Sequence, residues 1–337
     1  MLENIKLSDR VNKIQPFYVM ELLARARQLE AGGRSIVHME IGEPDFPTPE
    51  PVVLAGRAAL DQGLTRYLPA TGLPELKMRI AAYYSSRYGL ALDPARVIVT
   101  PGSSGALQLV MSVLIDPGDS VLISDPGYPC NRNFVELVGG VPKSIPVGPD
   151  TGYQLTSELV AEAWTQDTSA VMVATPSNPT GTVLDAAELA AIHAVVRERG
   201  GVLIVDEIYQ GLTFGKEGGT ALALGDDLFV INSFSKYFGM TGWRVGWMVS
   251  PEAYVPAIDR LAQNIFISTS SLAQYAAIEA FSVECSSLLE TRRAAFKERR
   301  DYLLPALAGL GFNIPCVPQG AFYLYTDCSE LCNDSFR

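Results

Sequence analysis

The segment Ser233-Phe234-Ser235-Lys236-Tyr237-Phe238-Gly239-Met240-Thr241-Gly242-Trp243-Arg244-Val245-Gly246 gathers groups able to do chemistry on a carbonyl. A lysine amine attacks an aldehyde only when part of it is neutral near pH 7, a condition met by desolvation or by a neighbouring cation. Arg244 supplies a fixed cation eight positions after Lys236. The glycines at 239, 242 and 246 let the backbone close around a bulky group, and Ser233 and Ser235 add hydroxyl donors. The set suits a phosphorylated aldehyde bound covalently to the lysine.

Two upstream segments bring further polar groups to the ends of apolar runs. Gly201-Val202-Leu203-Ile204-Val205-Asp206-Glu207-Ile208-Tyr209 reads as a strand buried on both faces that ends in a carboxylate. Open α/β sheets place ligands at that carboxyl end, so Asp206 belongs at the mouth of a pocket, with the phenol of Tyr209 in reach. The plainer alternative for Asp206 is a helix N-cap. Val171-Met172-Val173-Ala174-Thr175-Pro176-Ser177-Asn178-Pro179-Thr180-Gly181 is likewise a strand running into a punctuated loop, in which Asn178 alone reads equally as a turn residue.

In the order Asn178, Asp206, Tyr209, Ser233, Lys236, Arg244, with spacings of 28, 3, 24, 3 and 8, the chain resembles the pyridoxal-phosphate-dependent aminotransferases of class I/II, the aspartate aminotransferase-like fold type I. The resemblance extends to Ile41-Gly42-Glu43-Pro44-Asp45-Phe46-Pro47-Thr48-Pro49, Arg66-Tyr67, Ala70-Thr71-Gly72, Thr100-Pro101-Gly102-Ser103-Ser104-Gly105-Ala106-Leu107 and Asp125-Pro126-Gly127-Tyr128, nearly the whole chain. It implies that Lys236 carries pyridoxal 5'-phosphate as an imine and shuttles the proton as base and acid. Asp206 would hold a proton on the pyridine nitrogen, Asn178 and Tyr209 would donate to the ring oxygen, and Tyr128 would stack on the ring. Gly102, Ser103 and Ser104 at a helix N-terminus, with Ser233 and Arg244, would bind the phosphate. Tyr67 would reach that phosphate from the other subunit of a homodimer, and Gly42, with Asn178, would face the substrate carboxylate.

The activity so implied is transfer of an amino group from an α-amino acid to a 2-oxo acid. Carbon–sulfur β-lyases and decarboxylases share the scaffold and the same cofactor residues, and a third class is the regulator that fuses such a domain to a DNA-binding module. Ser104 stands where some aspartate-using relatives carry a lysine, which argues against aspartate as substrate. Pro318-Gln319-Gly320-Ala321-Phe322-Tyr323 resembles the family's small-domain segment near the active site, beyond which the family continues for several dozen residues and holds the arginine that grips the substrate α-carboxylate. Arg337 is too near Tyr323 to be its counterpart, so the resemblance implies a C-terminally truncated chain that binds the cofactor and transaminates poorly.

Composition is compatible with a buried α/β core: 337 residues, 48% hydrophobic. The formal charge of −11 is spread along the chain without a basic stripe, which disfavours nucleic acid and anionic membranes as partners. There is no apolar run of about eighteen residues and no leader pattern. Cysteines at 130, 285, 316, 328 and 332 form no Cys-x-x-Cys and suit a reducing, cytoplasmic setting. With only His38 and His193, a zinc site or a Ser-His-Asp triad is disfavoured, and no metal is expected.

Positioning these groups requires a regular scaffold. Strands are predicted at 97–100, 120–124, 170–174, 202–205, 228–232 and 245–249, with a short strand-like stretch at 35–39 around His38. Helices are predicted notably at 73–88, 106–114, 185–199 and about 284–307. The alternation predicts an α/β fold with a mainly parallel sheet wrapped on both faces, plus a small α/β domain. The expected division is 1–45 as N-terminal arm and first part of the small domain, 46–283 as the large cofactor-binding domain, and 284–337 as the remainder of the small domain.

Overall fold

The computed structural model describes residues 6–14, 16, 18–215 and 219–332; Arg337 lies outside them. Seven strands form one sheet: β1 (Val97–Thr100), β2 (Ser120–Asp125), β3 (Val141–Pro146), β4 (Thr168–Ala174), β5 (Val202–Asp206), β6 (Phe229–Ser233) and β7 (Gly246–Val249). Their order is β1-β7-β6-β5-β4-β2-β3, with β7 antiparallel to both neighbours and every other pairing parallel. The mainly parallel sheet expected from the sequence is therefore present.

Strand alternation sends successive side chains to opposite faces, and each face has its own core. Val97, Val99, Leu203, Val205, Val230 and Trp247 join one cluster with Leu76 and Ile80 of the helix Pro74–Tyr88 and Ile192 of the helix Ala186–Glu198. Ile98, Ile204, Phe229, Ile231 and Met248 join the other, under Leu107 and Val110 of the helix Gly102–Leu114 and Ile258 of the helix Val255–Ile265. Burial on both faces explains why these strands read as continuous apolar runs.

The register brings the carboxyl ends together: Ala174 of β4 pairs with Asp206 of β5, and Asp206 with Ile231 of β6. Three loops, carrying Asn178, Tyr209 and Lys236, leave from this one edge.

Two expectations need correction. The 35–39 stretch forms no strand: Val37 and Met39 are largely exposed, and among the described residues no strand pairs with them. His38 is instead held between Glu30 and Glu40, at 2.9 and 2.7 Å. The helix expected from residue 106 begins four residues earlier, at Gly102.

Candidate active site

The loop after β6 is closed on itself at its base. Phe234 N donates to Val245 O at 3.2 Å and Met240 N to Phe234 O at 3.0 Å. Phe234 and Phe238 anchor it in an aromatic cluster with Trp247 and Phe281, ring centroids 4.9 to 6.1 Å apart. Lys236, between these anchors, is thereby aimed across the sheet edge. Its ammonium donates to Gly42 O and lies 5.8 Å from the ring centroids of both Tyr209 and Phe322. Burial pushes its pKa down to about 8; Glu43 opposes the fall, Arg244 adds to it and Asp206 opposes it.

Asp206 is buried at the end of β5, and burial pushes its carboxyl up to about 6, while the Ile208 amide and the charge of Lys236 favour ionisation. Oδ1 accepts from Ile208 N at 3.0 Å in a local turn, but no helix directly follows β5 for it to cap, so the helix N-cap alternative is not realised. Among the described residues no ion pair within 4.0 Å satisfies this carboxylate. A buried anion left in that condition is costly unless something cationic joins it.

At the carboxyl end of β1, the helix Gly102–Leu114 starts with no side-chain cap. Its first amides, at Gly102, Ser103 and Ser104, carry the positive end of the helix dipole. Gly102 has φ of +68°, and a Cβ there would stand 2.5 Å from Arg244 Nη2, so the guanidinium lies directly over the helix start. Arg244 itself is held at φ 52°, a conformation costing a residue with a Cβ about 1–2 kcal/mol. Its Nη1 donates to Thr241 O at 2.9 Å and Ser235 Oγ at 3.4 Å, and Ser233 Oγ donates to Ser235 Oγ at 2.9 Å. No ion pair to a carboxylate engages Arg244 among the described residues. Uncapped amides, two hydroxyls and an unpaired cation together make a receptor for an oxyanion.

Tyr128 and Asn178 line a small hollow of about 20 Å³ with Ser177 and Asn131. Ser104 is exposed at the helix start, and Tyr67 is 80% exposed. Larger hollows lie elsewhere. One of about 530 Å³ sits at the amino end of β5, where Arg96 pairs with Asp226 and Arg197 with Asp227, leaving those charges satisfied.

The structure also brings in residues not singled out from the sequence. Tyr323 O–H lies 2.5 Å from the Tyr209 hydroxyl and accepts from Asn178 Nδ2 at 3.3 Å. Phe322 flanks Lys236, and Glu43 accepts from Thr241 Oγ1. Glu43 lies beside Gly42 in a motif the resemblance includes, and the resemblance put the segment 318–323 near the active site but gave Tyr323, 145 residues after Asn178, no role.

A family model of aminotransferase class I and II matches residues 34–337. A valine–pyruvate aminotransferase of Mycobacterium tuberculosis is 38% identical over 334 residues, covering 98% of this chain and 86% of that protein. An aspartate aminotransferase of Geobacillus stearothermophilus is 36% identical over 333 residues, covering 97% and 84%. Among solved structures, aspartate aminotransferase from Thermus thermophilus with maleate superposes with a TM-score of 0.95 at 34% identity, covering 99% of this chain and 88% of that one. A family match of that extent, on a sheet whose carboxyl edge carries the lysine, the carboxylate and the oxyanion receptor, places the chain among the class I and II aminotransferases, which use pyridoxal phosphate to move an amino group from an amino acid to an oxo acid.

Proposed function

We propose that Lys236 is the catalytic residue of this aminotransferase and that the groups around it divide the binding of pyridoxal phosphate among them. The observation that carries the proposal is the convergence of a buried lysine with a lowered pKa, a buried unpaired carboxylate and an uncapped helix start with an unpaired arginine on one sheet edge. These fit, in turn, an aldehyde, a protonated ring nitrogen and a phosphate. When bound, the group supplies the carbonyl that takes up the amino group and a ring that accepts the electron pair left when the α-proton departs.

Lys236 would hold the group covalently, and once displaced by substrate its free amine would take the proton that leaves the substrate α-carbon and carry it to the far side of the imine nitrogen. Asp206 keeps the ring nitrogen protonated, and the Coulomb attraction of that pair offsets the cost of the carboxylate's burial. Asn178 and Tyr209 donate to the ring oxygen, and Tyr128 covers a ring face. The amides of Gly102, Ser103 and Ser104, with Ser233 and Arg244, hold the phosphate, and Gly42 with Asn178 faces the substrate carboxylate.

The substrate proposed is a monocarboxylic, apolar or aromatic amino acid, because Ser104 offers no cation to a second carboxylate; the Mycobacterium tuberculosis relative named for valine and pyruvate is in keeping with this. The proposal includes a two-fold dimer to which Tyr67 contributes across the interface. It keeps the division at 46–283 and 284–337 with 1–45; in the 27-residue helix Val283–Gly309 only Cys285 and Leu289, near its start, are buried. No helix among the described residues is long and apolar enough to cross a membrane. Five free thiols suit the cytoplasm.

Protein reconstituted with pyridoxal phosphate and treated with borohydride should carry its fixed label on the peptide containing Lys236, and Lys236→Ala should carry none. A label recovered on another lysine of the variant would overturn the assignment.

A further inference from the structure

Tyr323 stands where two of the proposed cofactor contacts meet. Its hydroxyl is 2.5 Å from that of Tyr209 and 3.3 Å from Asn178 Nδ2, and it presses against the backbone of Gly42 so closely that a Cβ at Gly42 would overlap it.

The chain delivers Tyr323 to this point by a rigid route. Gln319 N and Gly320 N both donate to Gly181 O at 2.9 Å, Phe214 N donates to Gln319 O at 2.8 Å, and Ala321 N donates to Leu212 O at 2.8 Å. Gly181 lies three residues after Asn178, and Leu212 three after Tyr209. The segment is thus stitched to the two loops that carry those donors. The stitch includes Ala321, fully buried with φ of 57°, a conformation costing about 1 kcal/mol or more for a residue with a Cβ. Strain retained at a buried residue two positions before Tyr323 points to a geometric demand on this turn.

Counting protons gives the demand a content. Burial raises the Tyr323 phenol to about 12 and holds Tyr209 well above its ordinary value, so both are neutral donors with one proton each. One of those protons fills the short bond between the two oxygens, and the Asn178 amide is already a donor to Tyr323. A single phenolic proton therefore remains for an incoming oxygen.

We propose that Tyr323 is a positioning residue: by donating to Tyr209 it turns the Tyr209 proton, together with the Asn178 amide, onto the ring oxygen of the cofactor. The inference rests on the cofactor reading given above. It makes Tyr323 act through Tyr209, and the dependence is measurable.

Four proteins decide it: wild type, Tyr323→Phe, Tyr209→Phe and the double variant. Each is loaded with pyridoxal phosphate, its visible absorption is titrated against pH, and the affinity of its cofactor-free form for pyridoxal phosphate is measured at equilibrium. Tyr323→Phe keeps the ring and loses only the hydroxyl. Its titration midpoint should rise by about one pH unit, the size of one charge-assisted hydrogen bond, and its affinity should fall about three- to tenfold. The double variant should shift no further than Tyr209→Phe alone, because Tyr323 has nothing left to orient. An unmoved midpoint in Tyr323→Phe, or additive shifts in the double variant, would overturn the proposal. Either result with the label still on Lys236 leaves the cofactor reading standing; a label absent from Lys236 removes that reading instead.

Discussion

Asp206 closes a strand whose other residues are apolar, and its buried carboxyl has no ion pair among the described residues. Its value in the folded protein, about 6, lies above the ordinary 3.8, so the folded state binds more protons between those two pH values. The cofactor-free fold is therefore stabilised as pH falls from 6 towards 4 and bears the full cost of the charge above 6. The rise is worth at most about 3 kcal/mol. Asp206→Asn should accordingly raise the stability of the cofactor-free protein at pH 8 by about 1–3 kcal/mol, with the gain shrinking as pH drops through 6. The same variant should lose roughly 10²–10³-fold in amino-transfer rate, because a neutral amide does not hold the ring proton. Denaturant titrations at pH 8 and pH 5 with single-turnover rates check both halves; a variant less stable at pH 8, or equally fast, contradicts the account. Asp206 and Lys236 were legible because each sits beside an element with a strong signal of its own. Tyr323 was legible only through the resemblance, which put its segment near the active site; no local pattern records the late return of the chain that seats its hydroxyl.

The meeting of β7 with the helix Gly102–Leu114 sets how closely the oxyanion receptor is built. A Cβ on Gly246 would stand 2.8 Å from the carbonyl carbon of Gly102, 2.9 Å from Asn232 O and 3.0 Å from Ser103 N. All three are backbone atoms, so no flexible side chain can give way, and the helix start must move. Gly246→Ala should cost about 1–3 kcal/mol of stability and weaken pyridoxal phosphate binding about tenfold or more. Equilibrium dialysis beside thermal melting checks it, and unchanged affinity would show that the receptor does not depend on this approach. At this scale most of the fold was readable. Six strands announced themselves as apolar runs because helices cover both faces of the sheet. β3, Val-Pro-Lys-Ser-Ile-Pro, did not: it is an edge strand paired only with β2, which lets it tolerate two prolines and a largely polar, partly exposed face. The 35–39 stretch erred the other way, because alternation predicts a strand only where a partner edge exists, and here the ion pairs of His38 hold the chain instead.

For the whole molecule the open matter is what Tyr67 does. It lies between the helices Glu50–Asp61 and Pro74–Tyr88, is 80% exposed, and has Leu54, Leu60 and Met78 as exposed apolar neighbours in sequence, at 52%, 58% and 56%. Within one protomer an aromatic ring so exposed contributes little to stability, whereas across a two-fold axis one protomer's Tyr67 can serve its partner's phosphate site and the partner's can serve in return. The arrangement makes a prediction that no monomer satisfies. Tyr67→Ala should bind pyridoxal phosphate weakly, and Lys236→Ala should fix none of it. When the two variants are unfolded and refolded together in equal amounts, random pairing gives about half of the Tyr67→Ala chains a Lys236→Ala partner, and each such pair contains one site with both residues intact. At a cofactor concentration too low to fill Tyr67→Ala alone, borohydride should then fix label on Lys236 in about half of the Tyr67→Ala chains. Labelling of the mixture no higher than the sum of the separate variants, or a monomer in sedimentation at the same concentration, would place Tyr67 outside its partner's site.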